Sequence, residues 1–333
     1  MIRILYFFYY IRQLDWKLFK KFSKHVSVHH RIPKYRQYLG ILVHSIRYNI
    51  SILEYYQFQM YSCPKEEKSS WAGTGFMYEF QKRMNPPSVR VLLSDKLRFL
   101  ASYKEFISHQ FISQAELVRE ASVKQLLEEN DQLVLKHSLG QCGQGIQVIS
   151  SNGQTRESLI RALEDSGNDF IEAFVVQHDA LMRLSPSGLN TVRIVTQLND
   201  ANEVDILAAR MRITIDSQVD NLAAGNAAAV IDIESGKLQG HAVFSDITKA
   251  PIEKHPITGV RFDGFQLPFW EDLIQCAQNA ALKHVHNRSI GWDMAITPNG
   301  IDLIEANHDW CKLLWQLPAQ RGLKDTLAKY SWK

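Results

Sequence analysis

The segment IGWDMAITPNGIDLIEANHDW, residues 290 to 310, constrains the fold of this chain more than any other. Two runs of alternating apolar and polar residues flank Pro298, Asn299 and Gly300, the pattern of a β-hairpin. A three-residue loop there sets Thr297 opposite Ile301 and carries Asp293 into register with Glu305. Alternation then sends Asp293, Glu305 and Asn307 to one face, and Trp292, Met294, Ile296, Ile304 and Ala306 to a core face. Opposed Cβ atoms lie about 4.5 to 5.5 Å apart, so two carboxylates in those positions repel unless protonated or bridged by a cation. Oxygen-only ligands select Mg²⁺ or Mn²⁺, and Mg²⁺ usually reaches protein through one or two carboxylates plus substrate phosphates. The hairpin therefore predicts a metal-nucleotide site at Asp293, Glu305 and Asn307. A solvent-exposed edge with scattered acids is the plainer alternative.

A second segment complements it. In LVLKHSLGQCGQGIQVI, residues 133 to 149, an apolar strand ends at Lys136 and a loop with Gly140, Gly143 and Gly145 leads to another strand. Glycines let backbone N–H groups approach an anion closely, and lysine suits phosphate as a point charge. Strands are expected at 132 to 137, 146 to 149, 170 to 176, 191 to 198 and 204 to 214, with a hairpin turning at Ser235 and Gly236. Helices are expected from Asp95, over 155 to 166, and in LPFWEDLIQCAQNAALKHVH. Residues 1 to 90 read as mostly helical, and the main boundary falls near 90.

Taken in order, Lys136 with its glycine loop, then DFIEAFVVQHDAL, then GWDMAITPNGIDLIEAN, resemble the ATP-grasp superfamily. QHDALMRLSPSGLNTVRIVT, VDNLAAGNAAAVID, HPITGVRFDGFQLPFWEDL and the closing IEANHDW resemble its sugar-transfer-associated branch, linked to surface polysaccharide and capsule synthesis. The resemblance covers roughly 90 to 315. It implies an α+β ATP-grasp fold, two subdomains clamping ATP, with a lid at about 125 to 175 and a catalytic part at about 176 to 315. A mostly helical N-terminal region precedes them. It further implies that Lys96 and Lys136, with Gly143 and Gly145, hold the triphosphate. Glu172, Phe174 and Val175 would meet adenine through backbone groups, and Gln177 or Asp179 the ribose. The implied chemistry is ADP-forming carboxylate-amine ligation through an acyl phosphate, with small-molecule or saccharide substrates.

Arg193 lies in an otherwise apolar strand, where an unpaired guanidinium would be costly. It is typed to hold a transferring phosphoryl group or tetrahedral intermediate, or else to pair with Glu305, Asp293 or Asp205. Asn190 is a candidate for positioning substrate. Two departures from the resemblance stand out. His137 replaces a frequent proline after the loop lysine. Gly291 stands two residues before the first metal carboxylate, where small dipeptide ligases of the superfamily carry an arginine; Arg193, Arg210 or Arg212 would have to substitute. Of the histidines, His178, His241, His255 and His308 are candidate general bases, His308 first because it follows Asn307. The chain has no GxxxxGK[ST] and no HRD or DFG, which disfavours Walker NTPases and protein kinases. A sugar phosphotransferase and a non-catalytic nucleotide-binding module that recruits glycan enzymes to the membrane are the competing functions.

Composition bounds the rest. With 333 residues, 45% hydrophobic and 22% charged, the chain can bury substantial cores. Its four cysteines are far apart in sequence, which suits a reducing cytoplasm and no disulfide framework. No apolar run reaches the roughly 18 residues of a spanning helix. The net charge of +3 is uneven: residues 1 to 50 hold ten Lys/Arg against Asp15 alone. Interleaved aromatics make that stretch either a helical cap packing its rings inward or a surface for an anionic membrane, with residues 1–30 as a peripheral contact at the inner membrane face. No base-reading motif accompanies the charge, so no nucleic-acid partner is expected.

Overall fold

The computed structural model describes residues 2–140 and 145–330. It opens with helices α1 (Ile2–Arg12), α2 (Trp16–His29), α3 (Lys34–Tyr48) and α4 (Ile52–Gln57), followed by α5 (Thr74–Met84), α6 (Pro87–Ser94) and α7 (Lys96–Ser102). Asp15 caps α2 by accepting from the N–H groups of Lys17 and Leu18 at 2.9 Å. Asp95 caps α7 in the same way. The first four helices close around Tyr10, Phe22, Val26, Ile41, Tyr55 and Tyr56, and the same cluster takes in Val243 and Leu317 from the far end of the chain.

The next part, β1 (Phe111–Ser113), α8 (Glu120–Glu129), β2 (Gln132–Lys136), β3 (Gln147–Ser150), α9 (Arg156–Ser166) and β4 (Phe170–Ala173), forms an antiparallel sheet in the order β1-β4-β2-β3. Leu133, Leu135 and Ile171 point to α8 and α9, whose Val123, Leu126, Leu159 and Leu163 complete a separate core. Pairing of Val134 with Glu172, and of Lys136 with Phe170, puts those four on the opposite face. β4 ends at Ala173 rather than running to 176: the N–H of Phe174 makes one more in-register bond, to the carbonyl of Gln132, and Val175 makes none among the described residues.

The remaining elements are α10 (Asp179–Leu184), β5 (Val192–Leu198), β6 (Val204–Ile213), β7 (Ala227–Ile231), β8 (Leu238–Val243), α11 (Trp270–Lys283), β9 (Ser289–Thr297), β10 (Gly300–Asn307) and α12 (Lys312–Gln316). Their six strands form one antiparallel sheet, β10-β9-β5-β6-β7-β8. Val192, Ile194, Met211, Trp292, Met294, Leu303 and Ala306 bury one face beneath α11. On the other, Val195 and Ala208 pack with Phe80, Trp310 and Trp315, so α5 and the C-terminal segment cover one end of the face and leave the other for polar chemistry.

The β9–β10 hairpin reaches its register by a different route from the one expected. Its turn is tighter, with Gly300 opposite Thr297 and Ile301 opposite Ile296. A bulge between Leu303 and Glu305 then restores Glu305 opposite Asp293. Ile304, expected in the core, is therefore only half-buried, and Leu303 takes that place. The bulge also puts Asp302 and Glu305, three residues apart, on one face.

Glu54 joins the N-terminal helices to the rest. It is 2% exposed and accepts from Ser51 N at 2.7 Å, Thr74 N at 3.0 Å and Thr74 Oγ1 at 2.7 Å, while Lys312 Nζ lies 3.0 Å away. Breaking a buried ion pair by removing one partner costs about 3 to 5 kcal/mol. Glu54→Ala should lower the unfolding free energy by about 3 kcal/mol, read as a shifted denaturant midpoint with an unchanged slope.

Candidate active site

The polar face of the large sheet is built by register. Arg193 on β5 stands opposite Asp293 on β9 and opposite Arg210 on β6, and Asp293 stands opposite Glu305 on β10. Arg212, two residues past Arg210, shares the face. Asp293 is buried and accepts from both Nε and Nη2 of Arg193, the latter at 2.7 Å, and from Arg212 Nη1 at 2.7 Å. Burial alone would raise its pKa, but Arg193 and then Arg212 outweigh that and hold the carboxyl below its ordinary range. Arg212 is itself shared with Asp220 at 2.7 Å, and Asp220 accepts from the backbone N–H and hydroxyl of Thr191. Arg210 does not join this cluster: its guanidinium donates to the carbonyls of Trp315 and Ala209, and burial pushes its pKa down to about 10.

Glu305 differs from Asp293. Among the described residues no cation lies within salt-bridge distance of it, and burial, followed by the Asp293 charge, raises its pKa. With its amide nitrogen turned toward Glu305, Asn307 donates to Oε1 at 3.2 Å and accepts from Arg193 Nη2 at 3.2 Å. A half-buried carboxylate without a cation partner, beside a second carboxylate and an amide oxygen, fits a hard divalent cation. The fit is shared with the arginines, because both Asp293 oxygens are engaged, and no group of three His, Cys, Asp or Glu side chains among the described residues is disposed around a metal position. Glu305 is thus the freer donor, since the Asn307 amide oxygen is also engaged, by Arg193.

Gly291 explains where the expected arginine went. A Cβ there would stand 2.6 Å from the Trp310 Cβ and 3.0 Å from the Arg193 Cδ. The Arg193 side chain therefore crosses the space above Gly291 and delivers its guanidinium from the neighbouring strand. Of the carboxylates open to Arg193, Asp293 is the one it pairs with; Asp205 instead meets Lys329 and Tyr330.

On the four-stranded sheet, Lys136 Nζ pairs with Glu172, and Lys96 Nζ donates to the carbonyl of Gly140 at the start of the glycine loop. The Lys96 charge also favours the ionised form of Glu305. Gly145 has a φ of +74°, the left-handed region that glycine tolerates. Gly143 lies outside the described residues. The backbone of Glu172 is not free for a nucleotide base, because β4 is flanked by β1 and β2; its contribution is the carboxylate. The Phe174 N–H is likewise spent on Gln132, while Val175 has no backbone partner among the described residues.

Two candidates prove to be internal braces. The amide of Gln177, expected near a ribose, accepts from Asn190 N and Nδ2 at 2.8 Å and donates to Ser185 O at 3.2 Å. Asn190, expected to position substrate, is fully buried; it donates to Gln177, Ser185 and Gly188 and accepts from Thr214 N at 2.8 Å. Neither has an amide left for a ligand. Asp179, exposed at the start of α10, keeps a free carboxylate. Of the histidines, His255 is buried on the carbonyl of Thr214, His178 caps α10, and His241 lies 3.4 Å from Glu253. His308 bonds Ser94 Oγ at 3.0 Å, and burial lowers its pKa.

His109 carried no signal in the sequence, standing alone before a short strand. Its Nδ1 lies 2.7 Å from Asp302 Oδ2 and its Nε2 3.5 Å from Glu172 Oε1, so one imidazole spans β4 of the small sheet and edge strand β10 of the large one. Burial lowers its pKa, but Asp302 and Glu172 overcome that and push it up to about 9. Glu172, despite burial, is held down at about 2 by Lys136 and His109.

Over residues 76–331 the chain matches the family described as sugar-transfer associated ATP-grasp. It belongs to that family. Among solved structures it is similar to the D-cycloserine synthetase DcsG, at 11% identity and a TM-score of 0.43 over 84% of this chain and 82% of that one. It is also similar to the D-alanyl-alanine synthetase A of Vibrio cholerae O1 biovar eltor, at 12% identity and a TM-score of 0.41 over 69% and 60%. A third is the N5-carboxyaminoimidazole ribonucleotide synthetase purK in its ADP complex, at 10% and 0.39; 66% of this chain is covered but only 45% of that enzyme, less than half its length. No curated protein matches the chain in sequence.

The two buried links make separate predictions. His109 gains its partners as the imidazolium, with a folded-state pKa near 9 against 6.5 in the free group, so its stabilisation is complete below pH 6.5 and lost as pH rises through 9. Melting temperature should fall over that window, and His109→Gln should flatten the decline while lowering the temperature at pH 6. Gly291→Ala should cost about 1 to 3 kcal/mol in chemical denaturation, because Trp310 and Arg193 must give way.

Proposed function

We propose that this ATP-grasp protein is an ADP-forming ligase that activates a carboxylate as an acyl phosphate and joins it to an amine, on a saccharide or saccharide precursor of the cell surface. The observation that carries this reading is the single sheet face on which Glu305 and Asn307 stand beside an Asp293 gripped by Arg193 and Arg212. The first step bonds a substrate carboxylate oxygen to the γ-phosphorus as the bond to the ADP oxygen breaks. The second bonds an amine nitrogen to the carbonyl carbon, releases phosphate with the C–O electron pair, and frees a proton from the nitrogen.

Lys136 and Lys96 supply fixed positive charge and the glycine loop N–H groups to the triphosphate. Val175 offers unspent backbone groups to the base, Phe174 an exposed ring, and Asp179 a free carboxylate to the ribose. Mg²⁺ or Mn²⁺, held by Glu305 and Asn307 with Asp293, would neutralise phosphate oxygens. Arg193 and Arg212, already desolvated and aimed by Asp293, stabilise the charge that develops as phosphate transfers and the tetrahedral carbon forms. The saccharide assignment rests on the family's association with sugar transfer, and the use of ATP suits a cytoplasmic enzyme.

Incubation with ATP, Mg²⁺, uronic-acid saccharides and amino acids should yield ADP and an amide product. A phosphorylated sugar, or bound ATP without ADP, would overturn the ligase reading. Glu305→Gln should reduce turnover by about 10² or more at an unchanged melting temperature, and Lys136→Ala should weaken ATP binding by about tenfold in calorimetry.

A further inference from the structure

Helix α1 is apolar on two sides. Tyr6, Phe7 and Tyr10 pack into the N-terminal cluster, while Leu5, Phe8 and Tyr9 stand 65%, 63% and 54% exposed at spacings of three and four, followed by exposed Arg12. A helix apolar all round is ordinarily covered on every face. Helix α3, tied to it where Arg3 donates to the carbonyls of Ile46 and Arg47, exposes Tyr35, Leu39 and Leu42 on one stripe, with exposed Arg36 and Arg47 near its ends. Of 24 exposed large apolar side chains among the described residues, 11 fall between Ile4 and Val43, an eighth of the chain.

All ten Lys and Arg of residues 1–50 are exposed, and the only acid among them, Asp15, is spent on the α2 cap. On α2, Lys17, Lys20, Lys21 and Lys24 recur at three and four residues, forming a basic stripe beside exposed Trp16. Lys21 alone of these is paired, with Asp246.

We infer that the outer faces of α1 and α3 rest on an anionic lipid surface, with their apolar side chains in the acyl boundary and the bases of α1 to α3 among the headgroups. The chemistry is complementary on both counts: exposed apolar stripes seek hydrocarbon, and a surplus of unpaired cations seeks anionic headgroups. A second copy of the same face would oppose cations to cations. A single-stranded nucleic acid would use the rings but not Leu5, Leu39 or Leu42, which offer no stacking. No described helix is long and apolar enough to cross a membrane, so the protein would lie on the bilayer rather than span it. This inference is independent of the ligase reading.

Flotation of the full chain with phosphatidylcholine vesicles, with and without phosphatidylglycerol, tests it. The expected result is binding that requires phosphatidylglycerol and weakens with salt. The Phe8→Glu, Leu39→Glu double variant should lower vesicle partitioning by about tenfold or more, with unchanged melting temperature and ATP binding. Absence of wild-type binding to the anionic vesicles, or equal binding by the variant, would overturn it. So would a concentration-dependent dimer, or binding to single-stranded RNA, that the same substitutions abolish while vesicles are ignored.

Discussion

The polar half of the large sheet is organised by one carboxylate, Asp293, held at once by Arg193 and Arg212. Three strands meet there, and none of the three side chains could be buried without the others, since an isolated charge in that position is far too expensive. Removing Asp293 would leave two guanidinium groups facing one another, with Arg212 still on Asp220 but Arg193 without a carboxylate. The cluster is nearly neutral by itself, and Glu305 is what remains uncompensated beside it. That imbalance, more than any single distance, makes the surface receptive to a cation accompanied by phosphate.

A second ionic chain runs from the four-stranded sheet to the large one: Lys136, Glu172, His109, Asp302. Its members come from β2, β4, the approach to β1, and β10. Because Asp302 and Glu305 share a face only through the bulge, the same backbone irregularity that positions the candidate cation ligand also anchors the small sheet. Orientation of the small-sheet strands and of the acidic ligand are therefore coupled through one short stretch of β10.

Much of the frame was legible in the sequence. Strands with period-two alternation and helices with capped amphipathic faces fell within a few residues of their places, and the opposition of Asp293 and Glu305 followed from pattern alone. What the pattern could not carry was anything dependent on local slips or distant partners. Two errors cancelled in the hairpin, a turn one residue too long and an unseen bulge, so the correct pairing came with an incorrect core residue at Ile304. Asn190 and Gln177 have the residue types of ligand contacts, but their donors and acceptors are consumed by Ser185, Gly188 and Thr214, which sequence spacing does not reveal. His109 and Asp302 lie 193 residues apart, and nothing local announces their meeting.

The glycine at 291 has a consequence for how such a site can change over generations. Its empty position is occupied by Arg193 from the neighbouring strand and closed above by Trp310. A larger side chain at 291, an arginine included, meets Trp310 first and Arg193 next, so both must give way, and shortening 193 to make room strips Asp293 of its main partner. Each single replacement passes through a damaged intermediate, so the two arrangements of the guanidinium are separated by a fitness valley and a lineage that has adopted one would tend to retain it.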